Sequence, residues 1–182
     1  MSARFILTIF VLIVSFSASA QQSGFNKNNF TGRQALILNN SPYIELMDFS
    51  FGNVDGRNYR SESRTHLKWT NIGQQPIVAF EVVIAKYDPF GRNEVGSRWT
   101  VTGTDSANWT PLLPRATAGD GLIGTSSEDT FTAIAYVRYV RLADGTIWAA
   151  DIPKVAKEIQ KLVPNIKEVG DISPSTKKDK KD

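Results

Sequence analysis

The stretch Ile77-Val78-Ala79-Phe80-Glu81-Val82-Val83-Ile84-Ala85-Lys86-Tyr87 limits the architecture of this chain more than any other. At a period of two, Val78, Phe80, Val82 and Ile84 fall on one face. Ile77, Ala79, Val83, Ala85 and Tyr87 fall on the other, where Glu81 is the interruption. A strand that is apolar on both sides has to be covered on both, which places it centrally with a layer above and below. Asp88-Pro89-Phe90-Gly91 then ends it, with proline at the second position of a type I turn and glycine at the fourth.

Around this strand the sequence reads as further β structure. Ala35-Leu36-Ile37-Leu38 is a first strand closed by Asn39-Asn40-Ser41-Pro42. Tyr43 to Val54 is a second, with Tyr43, Met47, Phe49 and Phe51 sharing a face, and it turns at Asp55-Gly56. Tyr59 to Asn71 puts Leu67 and Trp69 on one side and Glu62, Arg64, His66 and Lys68 on the other. Glu94 to Thr104 is built around Val95, Trp99 and Val101, and the stretch from Asn108 to Gly124, with Pro111, Pro114 and three glycines, reads as a long connection. Asp129 to Leu142 and Thr146 to Ala150 form a hairpin about Asp144-Gly145. The reading gives seven strands in a sandwich domain over 33–152. Asp151 as a cap, Pro153 in the first turn and Val155, Ile159, Leu162, Val163 and Ile166 at helical spacing then predict a short helix over 153–168, packed on the domain.

The start of the chain points to export. Arg4, an apolar run from Phe5 to Phe16 broken at Thr8 and Ser15, and Ala18-Ser19-Ala20 form a signal peptide over 1–20. Its removal leaves 162 of the 182 residues, beginning at Gln21, in a periplasmic or secreted location. A polar, flexible lead-in follows over 21–32, and 169–182 is a disordered tail. The chain has no cysteine, so neither disulfides nor thiol chemistry enter, and no stable membrane anchor is expected. Without Arg4, 20 basic residues face 18 acidic ones, a balance too even for a nucleic-acid partner. The lysines of the tail are interleaved with Asp179 and Asp182, which argues against a polybasic membrane patch.

Trp69-Thr70-Asn71-Ile72-Gly73-Gln74-Gln75-Pro76, running into Ile77 to Val82 and closing at Tyr87-Asp88-Pro89-Phe90-Gly91, resembles exported immunoglobulin-like sandwich modules of the FxLYD type. In such modules an asparagine and glycine turn precedes a hydrophobic strand that ends in an aspartate and glycine turn. Tyr136 to Trp148 is similar to a closing hairpin in the same small bacterial domains. The resemblance implies an immunoglobulin-like β-sandwich with an accessory or binding role, and it brings no catalytic residues.

The residues that carry chemistry agree with a binding role. His66, the single histidine, lies on the charged face of its strand without a second ligand at metal spacing, and no glycine cluster opens a helix to cradle phosphate. No catalytic residue, metal or cofactor is assigned. Glu81, an acid in an apolar strand, calls for a cation, and Arg138 is the expected partner. Of the four tryptophans, Trp69 and Trp148 read as packed, whereas Arg98, Trp99 and Trp109 are the candidate ligand-binding residues. The chain is thus expected to be an exported, non-enzymatic binding or accessory module for a protein or cell-envelope partner, through strand edges, the 108–124 connection or the helix. The alternative is a carbohydrate-binding domain using exposed tryptophans; a lesser one is a carboxylate-dependent hydrolase drawing on acids such as Glu45, Asp48 and Glu94.

Overall fold

The protein is described by a computed structural model that covers residues 34–54, 62–102, 110–125 and 130–166. The expected signal peptide, lead-in, Asp55-Gly56 turn and tail lie outside the described residues. The fold is a β-sandwich of two sheets with one short C-terminal helix. The elements are β1 (Gln34–Leu38), β2 (Ile44–Val54), β3 (Glu62–Asn71), β4 (Ile77–Tyr87), β5 (Asn93–Thr102), β6 (Thr117–Thr125), β7 (Thr132–Leu142), β8 (Ile147–Ala149) and α1 (Ile152–Leu162).

The two-faced β4 sits where its pattern requires. In the larger sheet the order is β1-β7-β4-β5, and β8 also pairs with β7. One face of this sheet meets the smaller sheet, β2-β3-β6, through Phe80, Val82 and Ile84 of β4 against Leu46, Phe49, Leu67 and Trp69. The opposite face carries Val83, Ala85 and Tyr87 of β4 with Ile134 and Tyr136 of β7, and Val155, Ile159 and Ile166 close over them. The molecule is therefore three layers: small sheet, large sheet, helix. An isolated helix of eleven residues is marginal in water, so α1 depends on this docking. Each fully buried aliphatic side chain contributes about 1.5–3 kcal/mol.

β1 runs parallel to β7, from Gln34 opposite Thr132 to Leu38 opposite Tyr136. β8 pairs antiparallel with the later residues Tyr139 to Arg141. β7 is thus bordered in succession by the first and the last of the described strands.

Three departures from the sequence reading have physical causes. The stretch read as a long connection contains β6, which pairs with β3 from Thr70 opposite Thr117 to Glu62 opposite Thr125, so the described residues form eight strands where seven were expected. In β2 the buried set is Ile44, Leu46, Phe49 and Phe51, because Asp48 and Phe49 together oppose Leu67 in a bulge that reverses the alternation. Asp48 takes a left-handed φ of 50° there and forms a 2.9 Å ion pair with Lys68. The helix ends at Leu162, short of the expected 168, and Pro164 and Asn165 form a turn that returns Ile166 to the sheet.

The turns follow their sequence. Asn71, fully buried, donates to the carbonyls of Gln75 (2.8 Å) and Leu112 (2.9 Å) and accepts from Gly73 N (2.9 Å). Asp88 accepts from Phe90 N, Arg92 N and the Arg92 guanidinium. Burial works to raise its carboxyl, but these bonds outweigh that and hold it below the usual range.

Candidate functional site

The corner that leaves the large sheet for the small one is built by two consecutive amides. Along an extended chain neighbouring side chains point to opposite sides, so Asn39 and Asn40 reach different sheets. Asn39 Oδ1 accepts from Leu46 N at 2.8 Å, and its Nδ2 donates to Leu46 O at 3.3 Å. Asn40 Oδ1 accepts from Val137 N at 3.1 Å, and its Nδ2 donates to Val137 O at 2.8 Å. Each side chain imitates one rung of a strand ladder, and Asn40 occupies the stretch of β7 between the parts paired with β1 and β8. Ser41 Oγ then accepts from Tyr43 N and Ile44 N, fixing the turn into β2.

β8 and α1 face this corner. Trp148 is half-buried, with its ring edge-on to Tyr43 at 6.4 Å, and packs against the core while keeping part of its surface outside. Asp151 caps α1 by accepting from Lys154 N at 3.2 Å. Between the Asn39–Asn40 corner, Pro42, Trp148 and the Lys154 and Glu158 side of α1 lies a groove of about 550 Å³. Its walls hold amides engaged with backbone, an indole and charges of both signs; Asp151 is occupied as a cap and Glu158 pairs with Lys161 at 2.7 Å. That equipment can hold a ligand and set its orientation.

The residues proposed from sequence are not brought together. Trp99 is 9% exposed on the inner face of β5, edge-on to Trp69 at 5.5 Å and 87°. Its ring belongs to the core, which corrects its assignment as a stacking surface. Arg98, one residue earlier, is exposed on the opposite face, so the two do not form one site. Trp109 lies outside the described residues. His66 is exposed on β3, and among the described residues no group of three His, Cys, Asp or Glu side chains is placed to hold a metal. No helix among them is long and apolar enough to cross a membrane.

Glu81 does face Arg138, 3.9 Å from Oε1 to Nη1. A bulge in β7 makes this possible: β4 pairs Glu81 with Tyr139 and Val82 with Val137, so Arg138 is the extra residue. Arg138 and Tyr139 then share the outer face, with the guanidinium 5.2 Å from the Tyr139 ring centroid. Sequence reasoning passed over Tyr139 and the outward part of Trp148. The signal for the first was the spacing of Val137 and Val140, which cannot share a face unless the alternation slips between them.

No protein-family model matches the chain, and no curated protein matches it. Among solved structures it is similar to a 1.85 Å X-ray structure from Peptoclostridium difficile 630 titled a hypothetical protein, at 10% identity and a TM-score of 0.44, over 67% of this chain and 92% of that one. The X-ray structure of a Northeast Structural Genomics Consortium target is similar at 14% identity and a TM-score of 0.39, over 59% and 80%.

Proposed function

We propose that this chain is an exported, non-enzymatic binding module that holds a protein or cell-envelope partner in the groove between α1, β8 and the Asn39–Asn40 corner. The observation that carries the reading is the groove itself: about 550 Å³, within the usual range of ligand sites, with one wall pinned to both sheets by side-chain amides. A pinned wall is pre-organised and loses little freedom when a partner arrives. Export is supported by Arg4, the apolar run to Phe16 and Ala18-Ser19-Ala20. The FxLYD-type resemblance belongs to the same reading, through the Asn71 and Asp88 turns.

The carbohydrate alternative moves from Trp99 to Trp148, whose half-buried ring lines the groove beside Lys154 and Glu158. The hydrolase reading draws no support from this groove, because its two acids are held by the α1 cap and by Lys161.

The test is co-sedimentation of the mature chain, residues 21–182, with the insoluble envelope of its own cells, beside native gels with the exported soluble proteins. The expected result is saturable binding that falls at least tenfold in Trp148→Ala and in the surface variant Lys154→Glu, each checked for an unchanged circular dichroism spectrum. Binding untouched by either variant, or turnover of envelope material, contradicts the reading.

A further inference from the structure

The outer face of the large sheet is only partly covered by α1. Beyond the helix it presents Glu81, Arg98, Arg138, Tyr139 and Arg141, which share this side because Phe80, Val82, Trp99, Val137 and Val140 face the core. Arg98, Tyr139 and Arg141 are exposed, while the Arg138 side chain is 6% exposed and that of Glu81 21%. A charged pair is thus sunk into the floor of an otherwise open face.

The Glu81 carboxylate is incompletely satisfied. At 3.9 Å the ion pair is too long for a hydrogen bond, and Glu81 Oε1 has no hydrogen-bond partner among the described residues. The hydroxyl of Tyr136, fully buried on the same face, also has none. Burial raises the Tyr136 phenol well above its usual value, with Arg138 opposing and Glu81 adding to the shift, so the hydroxyl is a neutral donor within the field of this pair. Trp69 Nε1 is a further such atom, but it is walled in between the sheets and open to no ligand. Buried polar atoms without partners are rare in folded proteins, and the one at Glu81, whose side chain is the only one of these that reaches the open face, points to a molecule that completes it.

The chemistry of that molecule follows from the groups. Glu81 Oε1 is an acceptor and needs a donor, which a carboxylate or phosphate alone does not bring. Each guanidinium has five donors in a fork that suits carboxylates and paired hydroxyls. Three arginines around one glutamate make the patch positive. Tyr139, 38% exposed with Arg138 over its ring, adds an aromatic wall. We propose that the open face around the β7 bulge binds an acidic saccharide, with sugar hydroxyls donating to Glu81 and the sugar carboxylate held by Arg141. The site lies apart from the groove, so either can fail while the other stands.

The experiment titrates the ¹⁵N-labelled mature chain, residues 21–182, with D-glucuronate, D-glucose and acetate at matched ionic strength. Glucuronate is expected to give saturable shifts at residues 79–83, 98 and 138–141, with glucose at least tenfold weaker and acetate without saturable shifts there. Arg141→Gln, exposed and expected to fold, should weaken glucuronate at least fivefold and leave glucose unchanged. Glu81→Gln should weaken both sugars. Acetate matching glucuronate would reduce the site to an adventitious ion only and overturn the proposal. Shifts confined to the Trp148 groove, or none for either sugar, overturn it as well.

Discussion

Replacing Gly91 by alanine should loosen the helical layer from the sheet. Gly91 closes the turn after β4 with φ +73°, where its N–H donates to Asp88 O at 3.0 Å. An alanine pays about 1–2 kcal/mol for that left-handed conformation. The added Cβ would also lie 2.3 Å from the carbonyl oxygen of Asn165 and 3.0 Å from its carbon, both backbone atoms that cannot rotate away. Residues 163–166 must therefore move, and Ile166, 5% exposed, loses part of a burial that contributes about 1.5–3 kcal/mol. The sum is a destabilisation of about 2–5 kcal/mol. Gly145→Ala is the control: it has φ +88° with nothing within 4 Å of the new Cβ, so only the conformational cost of about 1–2 kcal/mol applies. Urea unfolding followed by tryptophan fluorescence measures both. Ile166→Ala should remove most of the excess cost at Gly91, because the contact then protects less. Equal costs at Gly91 and Gly145, or an unchanged cost in the Ile166→Ala background, would refute the account of how the third layer is held.

Other consequences follow from the same packing. Asn71→Ala removes three hydrogen bonds at a fully buried position and should cost about 3 kcal/mol by urea unfolding, since two carbonyls and one N–H lose their partner. Trp99→Ala should cost about 3–5 kcal/mol while Arg98→Ala stays within about 0.5 kcal/mol, which separates core from surface on neighbouring residues in one melt. Tyr87, fully buried, has its phenol pushed up to about 12 from 10.0 by desolvation. The unfolded chain ionises first, so the stability from keeping it neutral is intact below pH 10 and is lost as pH rises from 10 through 12. That loss is on the order of 2–3 kcal/mol, seen as a falling urea midpoint that is shallower in Tyr87→Phe.

What the sequence disclosed depended on whether local and tertiary preferences agreed. The double apolar pattern of β4, the Asp88 to Gly91 turn and the Asp144-Gly145 hairpin were legible because burial, backbone angle and residue type all point the same way. β6 was not, since Ala118, Gly119, Gly121 and Gly124 have little strand preference and the ladder to β3 holds it extended. The two bulges hid the rest. Asp48 in a left-handed conformation exchanged the faces of β2, and the extra residue Arg138 aimed Tyr139 outward. Trp99 was readable after all: its alternation with Val101 placed it inside, and its pairing with Arg98 as a site overlooked that neighbours along a strand face apart. The Glu81 and Arg138 pair was inferred correctly because an acid in an apolar strand requires a cation. The groove itself could not be read, since its corner at Asn39–Asn40 meets an edge strand and a helix start that follow more than a hundred residues later.

Hydrogen exchange of the mature chain, with and without the envelope material it sediments with, decides whether the groove is where the partner sits. Exchange should slow in 38–46 and 148–158, the walls of the groove. Protection confined to the β5 and β6 edges, with the groove exchanging as in the free protein, would contradict that placement.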